Sequence, residues 1–203
     1  MVHAGDSCHP FSYDLHTMKK LAVFSLILFG LSIGAARPDD IKLDIEIRSA
    51  VGTYWKPCVI YCNWKWYKAQ LIAESSLRTD AVSPVGAKGL SQAMDPTWRD
   101  WQRRGIVPEW ATPFNWKWSV KGGAYHMQFL KNIWRSKRSD RDRLFLALAS
   151  YNAGQGNIIR AQKLCKGALP YCDIVKCLPQ VTGRFSAETL AYAPKIEKIR
   201  KTL

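Results

Sequence analysis

The stretch WKWYKAQLIAESSLRTDAVSPVGAKGLSQAM, residues 64–94, decides how the chain is read. Its first half has a helical period. Ile60, Trp64, Tyr67 and Leu71 are spaced four, three and four residues apart and make one apolar stripe, which predicts a helix over Tyr54 to Leu77 with Pro57 in its first turn. Glu74 falls on the same stripe, three residues after Leu71 and seven after Tyr67. A carboxylate on an apolar helix face is desolvated, which disfavours its charged form and raises its pKa. A general acid working near neutral pH needs that property. The bland alternative is a solvated glutamate at a frayed helix end, which is the usual fate of an isolated glutamate. The second half, with Pro84 and Gly86 in Thr79–Lys88, reads as a loop.

The remaining sequence is mostly helical in pattern. A short helix is expected around Leu90–Arg103, an irregular stretch over Gly105–Asn115, and a longer helix over Trp116–Trp134 despite the Gly122-Gly123 pair. Asp140 can cap a helix running through Tyr151, with Leu144, Leu148 and Tyr151 as its stripe. Lys163–Gly183 reads as a long loop holding three cysteines. Ser186 can start a last helix that Pro194 bends or restarts. Asp39–Ser49 is either a leading helix or a loosely ordered arm. Strand signals are scarce, and no repeat or low-complexity tract is present.

The bulk properties fit one ordinary domain. The chain has 203 residues, 47% of them hydrophobic and 23% charged. Met18-Lys19-Lys20, the apolar run Leu21–Gly30 and the small residues up to Ala36 describe a secretory signal peptide. Cleavage near Ala36 is the favoured reading, and a retained signal-anchor is the other. Met18 is a candidate true start. The expected organisation is therefore a leader over 1–36 and a catalytic domain over 37–203. The product is exported to the periplasm or cell envelope, or tethered there, and the leader offers transient membrane contact.

The net charge is +14, and the leader's two lysines and two aspartates cancel, so its removal leaves that charge intact. Such a charge steers the protein toward polyanions: nucleic acid, anionic lipid or the anionic bacterial wall. Five cysteines follow the leader: Cys58, Cys62, Cys165, Cys172 and Cys177. Export permits disulfides. Cys58 and Cys62, four apart on the expected helix, face one way, and each can meet a cysteine of the 165–177 segment. An odd count leaves one thiol free. Zinc is disfavoured, because paired C-x-x-C units are lacking and His126 is distant in sequence.

Three blocks raise Glu74 above the bland reading. They are Glu74-Ser75-Ser76-Leu77 followed by Ala81 to Met94, then Ala147 to Gly154 with Tyr151-Asn152-Ala153-Gly154, then Glu188-Thr189-Leu190-Ala191-Tyr192. In order and spacing they resemble the lytic transglycosylase family with a goose-type-lysozyme-like catalytic domain. The resemblance implies a mainly α fold: a single lysozyme-like helical domain with long loops, preceded by the signal segment. By matched position it implies Glu74 as catalytic acid/base and Ser83 beside the cleaved sugar. Gln92 and Met94 match residues of the glycan groove, and Tyr151 and Asn152 its opposite wall. Tyr192 matches a tyrosine that hydrogen-bonds the glutamate, and Glu188 a groove carboxylate. Each has a packing, capping or turn role as its plain alternative. Leu190 departs from the usual arginine, Ser91 from a common methionine, and Asp95 precedes the proline.

The resemblance further implies peptidoglycan glycan strands as partner, a monomer, and no cofactor, metal or nucleic acid. Only one carboxylate has a catalytic setting, where most glycosidases use two. In keeping with that, the resemblance implies a substrate-assisted cleavage of the MurNAc-GlcNAc β-1,4 bond with 1,6-anhydro-muramic acid ends. A hydrolytic lysozyme is the near alternative. A basic nucleic-acid- or membrane-binding protein without catalysis is the alternative of another class, supported by the six basic residues of Lys131–Arg143. Trp98, Trp101, Trp110, Trp116 and Trp118 can stack on sugars, although core packing is the favoured reading for most of them.

Overall fold

A computed structural model describes residues 39–56, 58 and 60–203. The leader expected over 1–36 and the placement of Pro57 lie outside these residues. Asp39 caps the first helix, α1 (Asp40–Tyr54), by accepting the Ile41 N–H at 2.9 Å. Leu43, Ile47, Ala50 and Val51 form its buried stripe. The region read as helix or arm is thus a helix.

The helix expected over Tyr54–Leu77 is broken. After α1 the described residues are outside any helix until Asn63, whose side chain accepts the Lys65 N–H and starts α2 (Trp64–Ser75). Ile60 is exposed in the connection rather than aligned on the stripe. The connection is pinned to the body by Trp55, whose indole N–H donates to the Ala124 carbonyl at 3.0 Å. Cys58 and Cys62 close on each other across a Cα separation of 5.3 Å. Bonded to each other, they do not reach the 165–177 segment. Cys165 pairs with Cys177. Cys172 is disulfide-bonded as well, so the free thiol inferred from an odd count is absent among the described residues.

The short helix expected around Leu90–Arg103 is α3 (Asp95–Arg103), and its Trp98 and Trp101 are buried with Ala93, Val107 and Ala111. The next helix, α4 (Trp116–Ile133), matches the expected span. Its glycine pair is a contact surface. A Cβ on Gly122 would strike the Trp101 ring, and one on Gly123 would strike the Tyr67 hydroxyl and Ser91. The absence of side chains lets α2, α3 and the loop before α3 close onto α4.

Helix α5 (Asp140–Ala153) is capped by Ser139, which accepts the Asp142 N–H at 3.0 Å, rather than by Asp140. Every residue from Leu144 to Ser150 is buried. A helix apolar on all sides is a central helix, not an amphipathic one. It packs on α4, on α6 (Gln155–Leu164), and on the last helix, α9 (Ser186–Arg200), which also covers α2. The expected loop over Lys163–Gly183 contains two short helices, α7 (Tyr171–Val175) and α8 (Pro179–Thr182). Among the described residues there are only two isolated bridges, Val82 to Lys88 and Lys88 to Ala93, and no helix long and apolar enough to cross a membrane.

The two kinds of helical glycine separate cleanly. Gly123→Ala is expected to lower stability by about 2 kcal/mol through overpacking against Tyr67 and Ser91. Gly52→Ala in α1, with open space around it, is expected to raise stability by up to about 1 kcal/mol through helix propensity. Thermal melts of both variants check this, and a Gly123→Ala protein as stable as the parent would contradict the close-packing account.

Candidate active site

Glu74 is the penultimate residue of α2. Immediately beyond it Ser76 and Leu77 adopt left-handed φ of 53° and 61°, which turns the chain off the helix axis. Tyr192, 6% exposed on α9, donates its hydroxyl hydrogen to Glu74 Oε1. Two more phenols crowd the carboxyl. Tyr67 lies two turns earlier on the same face of α2 and donates to the Val120 carbonyl at 2.7 Å. Tyr151, near the end of α5, donates to the Ser91 carbonyl at 2.6 Å. Burial, reinforced by the Glu74 charge, holds all three phenols above their usual range, so they remain neutral donors.

This setting pushes the Glu74 carboxyl up to about 7. Burial is the largest cause. The Tyr192 hydrogen bond and the Lys195 ammonium pull the other way, and Glu188 adds to the rise. Some of the Glu74 side-chain surface stays open. Desolvation prevails because the wall around the carboxyl is aromatic and Lys195 is turned aside, its Nζ directed at the Ala73 carbonyl at 3.4 Å.

The loop after α2 is held by its own hydrogen bonds. Ala87 N–H donates to Ser83 Oγ at 2.9 Å, and Gly89 N–H to the Ala81 carbonyl at 2.8 Å. Gln92, at φ 47°, clamps the turn by donating its amide to the carbonyls of Gly89 (2.9 Å) and Ala81 (3.2 Å). Gly89 needs its φ of 72°, and any Cβ there would collide with the Pro113 carbonyl. Ser91, the departure from methionine, is buried and bonded to Ser119 through both its N–H and its hydroxyl.

The expected site residues fall into three groups. Glu74, Tyr151 and Tyr192 converge directly. Ser83, Gln92 and Met94 sit on the loop beside them. There Gln92 and Ser83 have hydrogen bonds internal to the loop, and Met94 is 42% exposed. Asn152 and Glu188 bind each other, Nδ2 to Oε1 at 3.0 Å, and Thr189 donates to Asn152 Oδ1 at 2.6 Å. That pair ties the end of α5 to the first turn of α9. The sequence reading left out Tyr67, Gln70 and Lys195. The first two stand seven and four residues before Glu74 on one helical face, and that spacing is the signal that could have found them.

Other candidates lose their claim. His126 is packed against the rings of Trp101, Phe129 and Tyr151, and burial lowers it to about 4, so it is neutral in ordinary conditions. Asp95 is exposed and tied to Lys88 Nζ at 2.8 Å, which holds its carboxyl below the usual range. Of the tryptophans, Trp98 and Trp101 are core. Trp110 is 71% exposed, edge-on to the half-buried Trp118 at 6.2 Å.

Comparison with known proteins places the chain in a family and a fold. The family described as Transglycosylase SLT domain matches residues 63–170. The chain is 30% identical over 134 residues to membrane-bound lytic murein transglycosylase F of Alteromonas mediterranea, and 29% over 134 to that of Thiobacillus denitrificans. In each case the match covers 64% of this chain and 27% of the relative, so the chain spans about a quarter of the length of the curated relatives it matches. The fold is similar to the crystal structure of the 70 kDa soluble lytic transglycosylase of Escherichia coli, with a TM-score of 0.60 and 19% identity over 77% of this chain and 23% of that one. It is also similar to an inactive mutant of lytic transglycosylase Slt from Pseudomonas aeruginosa, with a TM-score of 0.58 and 22% identity over 82% and 24%.

The raised carboxyl has a stability consequence. Between its ordinary value of 4.5 and about 7 the folded chain holds a proton at Glu74 that the unfolded chain has released. Stability therefore falls as pH rises through that window, by at most about 3 kcal/mol, and the cost is fully present above it. Glu74→Gln is expected to melt several degrees higher than the parent at pH 8 and at the same temperature at pH 4. An equal difference at both pH values would contradict the burial of an unpaired carboxyl.

Proposed function

The chain belongs to the Transglycosylase SLT domain family, and on that premise we propose that it is an exported lytic transglycosylase of the cell envelope that cleaves peptidoglycan glycan strands with Glu74 as its one acid/base. The observation that carries this reading is a carboxyl raised to about 7 at the end of α2, held on one oxygen by Tyr192. Around that value both protonation states are accessible, which suits a group that gives a proton and then takes one. The names of the relatives support the substrate: those proteins are lytic murein transglycosylases.

In the proposed reaction protonated Glu74 donates to the glycosidic oxygen between MurNAc and GlcNAc as the bond from that oxygen to C1 breaks. The substrate's N-acetyl group stabilises the cationic centre. The Glu74 carboxylate then takes the proton of the muramic acid 6-hydroxyl while that oxygen bonds to C1. One C–O bond breaks and one forms, the proton returns to Glu74, and no water is consumed. Tyr192 holds the carboxyl in one orientation through both transfers. The groove is built from the loop of Ser83, Gln92 and Met94 on one side and Tyr151, Asn152 and Glu188 on the other. The excess of Lys and Arg, 30 against 16 Asp and Glu, favours an anionic wall as the surface met first. The leader over 1–36 and the disulfides fit an exported catalytic domain over 37–203.

Two measurements test the proposal together. Glu74→Gln is expected to abolish clearing of purified cell walls, a loss of about 100-fold or more, while co-sedimentation with the same walls persists. For the parent, kcat/KM should fall as pH rises past about 7, because the acid form disappears. Wall clearing by Glu74→Gln at the parent rate would overturn the reading, as would a preference for duplex DNA over walls.

A further inference from the structure

Gln70 stands one helical turn before Glu74 on the same face of α2. It is 1% exposed, and neither its Nε2 nor its Oε1 has a hydrogen-bond partner. Its buried neighbours on the helix, Trp66, Tyr67, Ala69 and Leu71, make an apolar and aromatic surface. An amide in such a place loses its hydration and regains nothing, so packing alone would favour leucine or methionine. The Trp66 indole N–H on the same helix is also without a partner, but the polar groups nearest the Glu74 carboxyl are satisfied. Tyr67 reaches Val120, Tyr151 reaches Ser91, and Gln92 reaches two carbonyls.

The unpartnered amide lies against Tyr192. Tyr192 bonds Glu74 one turn further along the same face, and the nearby Gln70 amide eases the Tyr192 phenol downward without closing a bond of ordinary length and angle. Tyr192 has one hydrogen, and Glu74 Oε1 receives it. Only a donor can meet the lone pairs left on the Tyr192 oxygen. If nothing meets them, a protonated Glu74 has a competing choice: it can turn its own O–H onto Tyr192, which ties up the proton the reaction needs.

We propose that Gln70 is a positioning residue whose amide N–H engages the Tyr192 oxygen, keeping Tyr192 a donor to Glu74 Oε1 and leaving Oε2 to carry the transferable proton. The inference rests on the reading of Glu74 as the acid. The groups that face the carboxyl are accounted for: Tyr67 and Tyr151 are neutral phenols, Lys195 pulls its pKa down and Glu188 pushes it up. None of them occupies the Tyr192 lone pair. A residue kept for function against its own packing cost leaves a recognisable mark, in that its removal harms the reaction and spares the fold.

The test is a double-mutant cycle on the full chain with purified cell walls as substrate. Gln70→Leu is expected to lower kcat by about threefold to tenfold, the worth of one hydrogen bond, with KM unchanged and the melting temperature equal or higher. Its alkaline limb should move to higher pH, because a slackened Tyr192 no longer holds the Glu74 value down. In a Tyr192→Phe background the same substitution should cost nothing further. Gln70→Met, a more flexible apolar replacement, should match Gln70→Leu in every readout. A parent-like kcat overturns the inference, as does an equal loss in both backgrounds, or a fall in melting temperature that accounts for the lost rate. If Glu74→Gln itself clears walls, the parent reading fails instead. An inactive Glu74→Gln beside a fully active Gln70→Leu rejects only the role of Gln70.

Discussion

The carboxyl of Glu74 is buried against a hydroxyl instead of a cation, and the architecture follows from maintaining that condition. A charged partner at Tyr192's position would drive the carboxyl toward its ionised form and remove the acid. A fully apolar wall would leave the carboxylate, once formed, without any support. Tyr192 provides one neutral hydrogen bond, and burial outweighs it, so the value settles near 7. The condition requires three elements to converge. Helix α2 brings Glu74 and Tyr67, the central α5 brings Tyr151, and α9 brings Tyr192. The burial of α5 on every side from Leu144 to Ser150 makes Tyr151 a fixed wall rather than a surface side chain.

Order in the neighbouring loop is obtained against local preference. Ser76, Leu77 and Gln92 each hold a left-handed φ, which costs roughly 1–2 kcal/mol for a residue with a Cβ. Such conformations persist only where the surroundings over-determine them. Here they do: Gln92 bonds two carbonyls of its own turn, Tyr151 bonds Ser91, and Gly89 packs on the Pro113 carbonyl. Asn152 and Glu188 apply the same logic on the other side, joining α5 to α9 by side-chain bonds. Ser83 and Gln92, singled out for the groove, therefore also fix the shape of the loop that presents them.

Much of this was legible in the sequence because it rests on residues close together in the chain. The period of Tyr67, Leu71 and Glu74 gave the α2 face correctly, and the Trp116–Trp134 pattern gave α4. Where the reading failed, a local competitor prevailed. Ile60 continued the stripe by coincidence across Asn63, whose capping side chain starts a new helix. The stretch Lys163–Gly183 reads as loop, yet Pro170 and Pro179 sit where two short helices begin, positions that proline favours. Cys58 and Cys62 pair with each other, and the described residues around them are outside any helix. The contact of Tyr192 with Glu74, 118 residues apart, came only from the resemblance to a known family, since no spacing rule reaches that far. The isolation of the Gln70 amide is a property of the packed structure and has no sequence signature.

The arrangement contains one raised carboxyl, three neutral phenols and a histidine buried to neutrality. Glu188 is occupied with Asn152, and Asp95 with Lys88. Among the described residues no second carboxyl shares the setting of Glu74, which supports the proposed attack by the substrate's own 6-hydroxyl rather than by an activated water. Mass spectrometry of the muropeptides released from purified peptidoglycan tests this most directly. Fragments ending in 1,6-anhydro-muramic acid are the predicted product, and fragments ending in reducing muramic acid would contradict the account.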